Sequence, residues 1–246
     1  MIEIISETKS YIVVIKPFGM ESEHEVPAAL AQLSGTRPEE YLCIHRLDQA
    51  AGGLLVYAKT KKAAADLSAQ LADGRLGKEY LAVLAGVPEG PSGVLEDLLY
   101  RDRQKQKMFP VKKMRNGVKK ASLEYTVLQT CRGGIPEGNE LQNSKTYTNS
   151  GTDDYGTSNE NSGNVLTLAA IRLHTGRYHQ IRVQFASRGL PLVGDRKYGS
   201  RIRSPHLALF CHEMDFYDPG SGEKVSFRAE MPSEFPWQIF LSPCGG

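Results

Sequence analysis

Short β-branched runs recur along this chain, and that pattern limits its fold more than any other feature. Tyr11-Ile12-Val13-Val14-Ile15, followed by Lys16-Pro17-Phe18-Gly19, reads as a buried strand closed by a Pro/Gly turn. Leu54 to Lys59 and Lys78 to Leu84 are two further strands, and Ala121–Leu128 and Val165–Leu173 two more. Closing strands are expected near Leu207–Phe210 and Lys224–Phe227. Helices are fewer. Ala63, Leu67 and Leu71 fall at helical spacing after a capping Thr60, with Gly74 marking the end, and a second helix is expected from His179 to Arg188. Strands that outnumber helices without strict alternation predict an α+β fold on a large mixed, mainly antiparallel sheet flanked by helices and loops.

With 246 residues the chain can bury a full core, and it is read as a single domain over 1–246. From Gly133 to Asn164 it turns to Gly, Asn, Ser, Thr, Asp and Glu with very few apolar residues. Such a segment cannot offset its ordering entropy by burial. It is expected to be a disordered acidic insertion in a hairpin, because the runs on either side read as paired strands.

Charge is segregated although the net value is only +2. Arg101 to Lys120 holds nine Lys or Arg against Asp102 alone, and Arg172 to Arg203 holds eight against Asp195 alone. A chain needing only solubility would intersperse its signs. Two basic blocks suit a polyanion, where each neutralised phosphate releases counterions, although a solvated lysine-rich hairpin is an equally common cause.

Several classes are excluded or disfavoured. There is no apolar stretch long enough for a transmembrane helix, and the start, Met1 to Glu7, lacks the basic and apolar regions of a secretory signal. A cytoplasmic location is expected. Cys43, Cys131, Cys211 and Cys244 lie far apart, without a C-x-x-C pair, and read as isolated thiols. The six histidines form no H-x-x-x-H pair, so no metal is implied.

Three segments interrupt apolar pattern with polar groups. In His45-Arg46-Leu47-Asp48-Gln49-Ala50-Ala51-Gly52-Gly53, an aspartate precedes a glycine pair and a buried strand, where backbone can approach a ligand closely. Asp48 there suits a nucleophile, a general base or a metal ligand, and equally a turn or capping residue. Gly77-Lys78-Glu79-Tyr80 places a tyrosine in a strand, most often a core or edge position. In Thr175-Gly176-Arg177-Tyr178-His179-Gln180-Ile181-Arg182, Arg182 lies between Ile181 and Val183 and requires a buried anionic partner, whereas Arg177 also suits a surface.

Together these segments resemble the signature motifs of the RluA-type pseudouridine synthases. The H-R-L-D block is His45 to Asp48, K-x-Y-x-A is Lys78, Tyr80 and Ala82, and T-G-R-x-H-Q-I-R is Thr175 to Arg182. The G-D-x-x-Y-G tail is Gly194 to Gly199, and Lys16-Pro17-x-Gly19 and Gly222-Glu223 with Phe227 fall in the family's order. The resemblance runs from about Tyr11 to Phe235, leaving out only the 133–164 segment. One departure stands beside the aspartate: Ala51-Gly52-Gly53 replaces the family's Thr-Ser-Gly, removing two hydroxyls that shape the turn.

The resemblance implies the pseudouridine synthase catalytic fold with a central active-site cleft. It also implies an enzyme, an isomerase that converts uridines of structured rRNA or tRNA to pseudouridine after base flipping. The N1–C1′ bond breaks, the base turns, and C5 joins C1′; nothing is oxidised or added, so no cofactor is expected. By similarity Asp48 is the catalytic carboxylate, whether it attacks C1′ or C6 or assists glycal formation. Arg182 resembles the arginine that pairs with it, and Tyr80 the residue that stacks on the base and helps remove the C5 proton. Arg46 is similar to the arginine that fills the vacated stack. Leu192 belongs to the apolar wall, and His45, Lys78 and Arg177 to the substrate-binding set. A monomer is expected, as is the absence of an S4-like RNA-binding domain, since the chain starts close to its first motif. A non-catalytic RNA-binding protein is the alternative, favoured only by Ala51-Gly52. A sugar glycosidase would need a second catalytic carboxylate near the first.

Overall fold

The computed structural model describes residues 2–133 and 165–241. In chain order its strands are β1 (Glu3–Glu7), β2 (Tyr11–Lys16), β3 (Leu42–Cys43), β4 (Gly52–Ala58), β5 (Gly77–Ala85) and β6 (Ser92–Asp102). They continue with β7 (Lys107–Val111), β8 (Val118–Arg132), β9 (Val165–Leu173), β10 (Leu209–Tyr217) and β11 (Lys224–Arg228). The helices are α1 (Glu25–Ser34), α2 (Lys61–Asp73) and α3 (Gln180–Ala186). The α+β expectation holds. The chain divides into two compact units, Met1–Tyr80 with Leu209–Met231 and Leu81–Ala208 with Pro232–Gly246.

In the first unit the strands run β1-β2-β4-β10, with β3 beside β4 and β11 beside β10. The ladders β1–β2, β2–β4 and β10–β11 are antiparallel, and β4–β10 is parallel. In the β2–β4 register Ile12 faces Tyr57, Val13 faces Val56 and Val14 faces Leu55, all fully buried. A strand covered on both faces is apolar throughout, which is why β4 is buried along its whole length and shows no alternation. Where β4 meets β10, Gly53 has φ +114° and the Cys211 backbone occupies the place of a Cβ, so only glycine fits. Helix α2 packs Ala63 and Leu67 inward, as the spacing predicts. Thr60 caps it by accepting the Ala63 N–H at 3.1 Å, and Gly74 ends it in the left-handed conformation.

The second unit carries the order β5-β9-β8-β6-β7, its portion of β5 beginning at Leu81. The β9–β8, β8–β6 and β6–β7 ladders are antiparallel. The expected pairing of the strands flanking the acidic segment is found, with Arg132 opposite Val165 and Leu123 opposite Leu173. Apart from Gly133, the expected 133–164 insertion lies outside the described residues. Helix α3 is shorter than the expected 179–188: His179 serves as its N-cap in the left-handed region at φ +49°, uncommon for a non-glycine residue. Gln184 ties α3 to β6 through the Leu95 carbonyl at 3.0 Å and the Asp97 carboxylate at 2.8 Å. Leu99, Met108, Ala121, Val183 and Tyr198 form a buried cluster of this unit.

Candidate active site

Asp48 stands in irregular chain between β3 and β4, half-buried, and the segment from Lys16 to Ser22 grips that chain on both sides. Upstream, the Leu47 N–H donates to Ser22 Oγ at 3.2 Å while the Ser22 hydroxyl donates to the Leu47 carbonyl at 3.1 Å. The fully buried Tyr57 donates its hydroxyl to the Ser22 carbonyl at 2.7 Å. Downstream, the Gly19 N–H donates to the Gln49 carbonyl at 2.9 Å, and the Ala51 N–H closes a turn onto the Asp48 carbonyl at 2.9 Å.

Lys16 completes the grip. Its side chain is 0% exposed, and Nζ donates to the carbonyls of Pro17 (2.9 Å), Met20 (2.8 Å) and Gln49 (3.2 Å). Three donors meet three acceptors, the arrangement a buried ammonium needs. Burial pushes its pKa down to about 8, against the opposing pull of the Asp48, Glu21 and Glu25 carboxylates.

Four other sequence-predicted residues share this unit with Asp48. His45 is buried, and neither ring nitrogen has a hydrogen-bond partner among the described residues. Burial first, and the Lys78 charge second, hold it well below the ordinary histidine pKa. Arg46 is exposed and pairs with Glu23 at 3.1 Å. Lys78 is half-buried on β5, its pKa lowered by burial. Tyr80 is buried, and burial, Cys211 and the Asp48 charge raise its phenol well above the ordinary value. The phenol therefore stays protonated at neutral pH, suited to stacking and hydrogen bonding but poorly to accepting a proton.

The second unit holds Arg177, Arg182 and Leu192. Arg182 is 6% exposed and Asp195 2%, and the two form a bidentate pair, Nε to Oδ2 at 2.7 Å and Nη2 to Oδ1 at 2.8 Å. The anionic partner demanded by the burial of Arg182 thus includes Asp195 of the Gly-Asp tail, which the sequence reading left without a role. The Arg182 guanidinium also lies over the Tyr198 ring, 5.1 Å from its centroid. The Tyr198 hydroxyl accepts the Met108 N–H at 2.9 Å and lies 3.0 Å from His179 Nδ1. Burial, with Arg182, Lys197 and Arg101 nearby, lowers the His179 pKa to about 2, so the ring is neutral where its Nδ1 shares a hydrogen bond with the Tyr198 hydroxyl. The other face of His179 stacks on Tyr178 at 3.7 Å, and the Arg101 guanidinium covers Tyr178 at 4.1 Å. Arg177 is exposed, its Nε donating to the Lys120 carbonyl at 3.0 Å. Leu192 is fully buried and its backbone bridges Leu84.

The Ala51-Gly52 departure has a packing counterpart. A Cβ on Gly52 would stand 3.0 Å from Phe18 Cε1, so the Phe18 ring fills the space a longer side chain would take. One grouping, Glu79, His212 and Glu213, brings three possible metal-ligand atoms within 4.8 Å. Within it His212 Nε2 lies 3.1 Å from Glu79 Oε1, already a hydrogen-bonded pair. Cys43 and Cys211 are free thiols, but Cys131 is disulfide-bonded, contrary to the expectation of isolated thiols throughout. Among the described residues no helix is long and apolar enough to cross a membrane.

A mixed α+β sheet protein, with the aspartate loop gripped by a Lys-Pro turn and a buried arginine at the start of α3, defines a class before any comparison. The family described as RNA pseudouridylate synthase matches residues 10–187, more than half of the chain. The chain belongs to this family, in its RluA-type branch, and is an RNA pseudouridine synthase, an isomerase. It is 30% identical over 259 residues to the ribosomal large subunit pseudouridine synthase D of Zymomonas mobilis, covering 95% of this chain and 70% of that one. Over 243 residues it is 27% identical to the dual-specificity RNA pseudouridine synthase RluA of Escherichia coli, covering 94% and 93%. Human RNA pseudouridylate synthase domain containing 1 shares the fold, with a TM-score of 0.72 at 20% identity over 94% of this chain and 84% of that one.

Proposed function

We propose that residues 1–246 act as a single catalytic domain, monomeric and cytoplasmic, on a uridine of rRNA or tRNA that is flipped out of its stack. Asp48 is the nucleophilic carboxylate. The observation that carries this reading is the two-sided grip on its loop, Ser22 at Leu47 and Lys16 with Gly19 at Gln49, which fixes the backbone on either side of Asp48 close to a buried cation. Ordering of this kind supplies the orientation that displacement at a sugar or base carbon requires. Tyr80 stacks on the detached base, and its protonated phenol supplies a hydrogen bond. Arg182, held by Asp195, takes the role that the family arginine has, and Arg46 leaves Glu23 to fill the vacated stack. Arg177 and the basic blocks from Lys105 to Lys120 and Arg196 to Arg203 hold phosphates, and Leu192 backs the apolar wall from the core. His45 and Lys78 contact the target strand. An rRNA substrate is supported by the name of the Zymomonas mobilis relative.

The reaction conserves atoms: the C5 hydrogen leaves and N1 gains one, so RNA tritiated at uridine C5 reports turnover as tritium in water. Wild-type protein is expected to release tritium from bulk rRNA or tRNA, and Asp48→Ala to release none above background. Undiminished release by Asp48→Ala would remove the nucleophile assignment.

A further inference from the structure

The chain segments that carry Asp48 and Tyr80 also carry two polar side chains without hydrogen-bond partners among the described residues. His45 is 8% exposed, and both Nδ1 and Nε2 are buried with no hydrogen-bond partner among the described residues. A buried polar group left unsatisfied costs roughly 1–3 kcal/mol, and proteins rarely retain one without a use. Lys78 forms no hydrogen bond or ion pair among the described residues, and no carboxylate is among the charges that act on it. The contrast with Lys16, whose ammonium has three carbonyl acceptors, is direct. The two lone groups sense each other, since the Lys78 charge helps keep His45 neutral.

We propose that His45 and Lys78 form one anion subsite, whose ligand is the phosphodiester flanking the uridine taken up by the site. The inference rests on the synthase reading and adds the chemical group these two residues recognise. An ammonium and a neutral imidazole N–H both donate. A phosphodiester oxygen only accepts, and it brings the negative charge that Lys78 lacks. The uracil edge offers donors and acceptors but no charge.

Access to His45 is inexpensive. His45 and Arg46 precede the hydrogen bonds that hold Leu47 to Ser22, and Arg46 is held by an exposed ion pair to Glu23, worth under about 1 kcal/mol. An RNA strand that draws Arg46 away from Glu23 also frees the neighbouring residue to turn its ring nitrogens toward the phosphate.

The test uses nitrogen-detected spectra of the histidine rings and lysine ammonium groups of the whole chain. The probes are the dinucleotide UpU, its methylphosphonate analogue, which has no charge on the linkage, and uridine. UpU is expected to move the His45 and Lys78 signals together, and wild type to bind the methylphosphonate about tenfold more weakly, the scale of one charge-assisted hydrogen bond. Lys78→Met is expected to lose that preference, and Lys78→Arg, which keeps the charge and guards against a folding artefact, to retain it. Equal binding of UpU and its methylphosphonate by wild type would overturn the subsite. So would a Lys78 response with His45 unmoved, which would leave a trapped water as the partner of the imidazole. Because no turnover is measured, this result stands apart from the tritium assay, and either reading can fail alone.

Discussion

Lys16 illustrates how one buried charge ties stability and activity to pH in opposite directions. Its folded pKa of about 8 lies below the ordinary 10.5. Between those values the unfolded chain still holds the proton that the folded chain has released, so this group makes stability rise with pH across the window and stay level below about 8. The neutral amine, however, has two donors for three carbonyls, and the grip on Gln49 loosens. Single-turnover rates on tritiated RNA are expected to fall above pH about 8 while chemical stability does not. Lys16→Met should slow turnover at every pH with RNA affinity little changed, and an unaltered rate profile in that variant would show the grip to be irrelevant. His179 behaves differently. Its folded pKa of about 2 lies below the ordinary 6.5, so its contribution is intact above pH 6.5 and is lost as pH falls toward 2. Urea unfolding at about pH 7 and about pH 5 should show wild type losing up to about 1.4 kcal/mol per pH unit more than His179→Gln. An identical acid sensitivity in the two proteins would refute that account.

At the scale of elements, the turn behind the nucleophile is defined by what glycine leaves open. At Gly53 the Cys211 backbone fills the Cβ position, so Gly53→Ala forces β4 and β10 apart. At Gly52 the obstacle is the edge of a single ring, Phe18. Gly52→Ser alone is therefore expected to slow tritium release, and Gly52→Ser with Phe18→Ala to recover part of the rate. Independent, additive losses would mean that ring and glycine are not coupled. These contacts were not legible in the sequence, because nothing in Lys16-Pro17-Phe18-Gly19 says which residue its ring will meet. Strands β2, β4 and β9 and helix α2 were legible, since β-branched runs, a capping Thr60 and a terminating Gly74 act over a few residues. Helix α1 was missed: His24 gives no side-chain cap and Pro27 lies in its first turn, although Val26 and Leu30 are buried and Gly35 ends it in the left-handed conformation. Of the site, Asp48, Tyr80 and Arg182 were named from motifs, whereas the demand of Arg182 for a carboxylate was legible but not its answer, Asp195 thirteen positions away. Lys16 was passed over because burial of its ammonium depends on three backbone carbonyls that only the folded turn presents.

For the whole molecule, the question is how a chain of net charge +2 holds a polyanion. The answer lies in where the charges stand. Lys112, Lys113, Arg115, Lys119 and Lys120 are all exposed, following one another from the end of β7 into β8. Arg101 lies over Tyr178 at 4.1 Å and Lys107 over Tyr198 at 5.3 Å, so the turn end of the neighbouring β6–β7 hairpin packs on aromatic residues around α3, while Arg115 within the lysine-rich connection lies over Tyr100 at 5.1 Å. A lysine-rich segment that is only a solvated surface contributes diffuse attraction, whereas one that docks on the strand contacts individual phosphates. The two cases differ in salt dependence. Each phosphate contact contributes a slope of about −0.7 to −0.9 to log K against log salt concentration. Replacing Lys112, Lys113, Lys119 and Lys120 by Gln should flatten the slope for bulk tRNA or rRNA by about 1 for each residue that faces a phosphate. Fluorescence anisotropy across about 50–200 mM salt measures it directly. Tritium release at saturating RNA should change little, because the substituted residues hold the strand and not the reacting base. A variant with an unchanged salt slope would mean that the hairpin is a solvated surface, and the binding face would then have to be sought among the basic residues between Arg172 and Arg203.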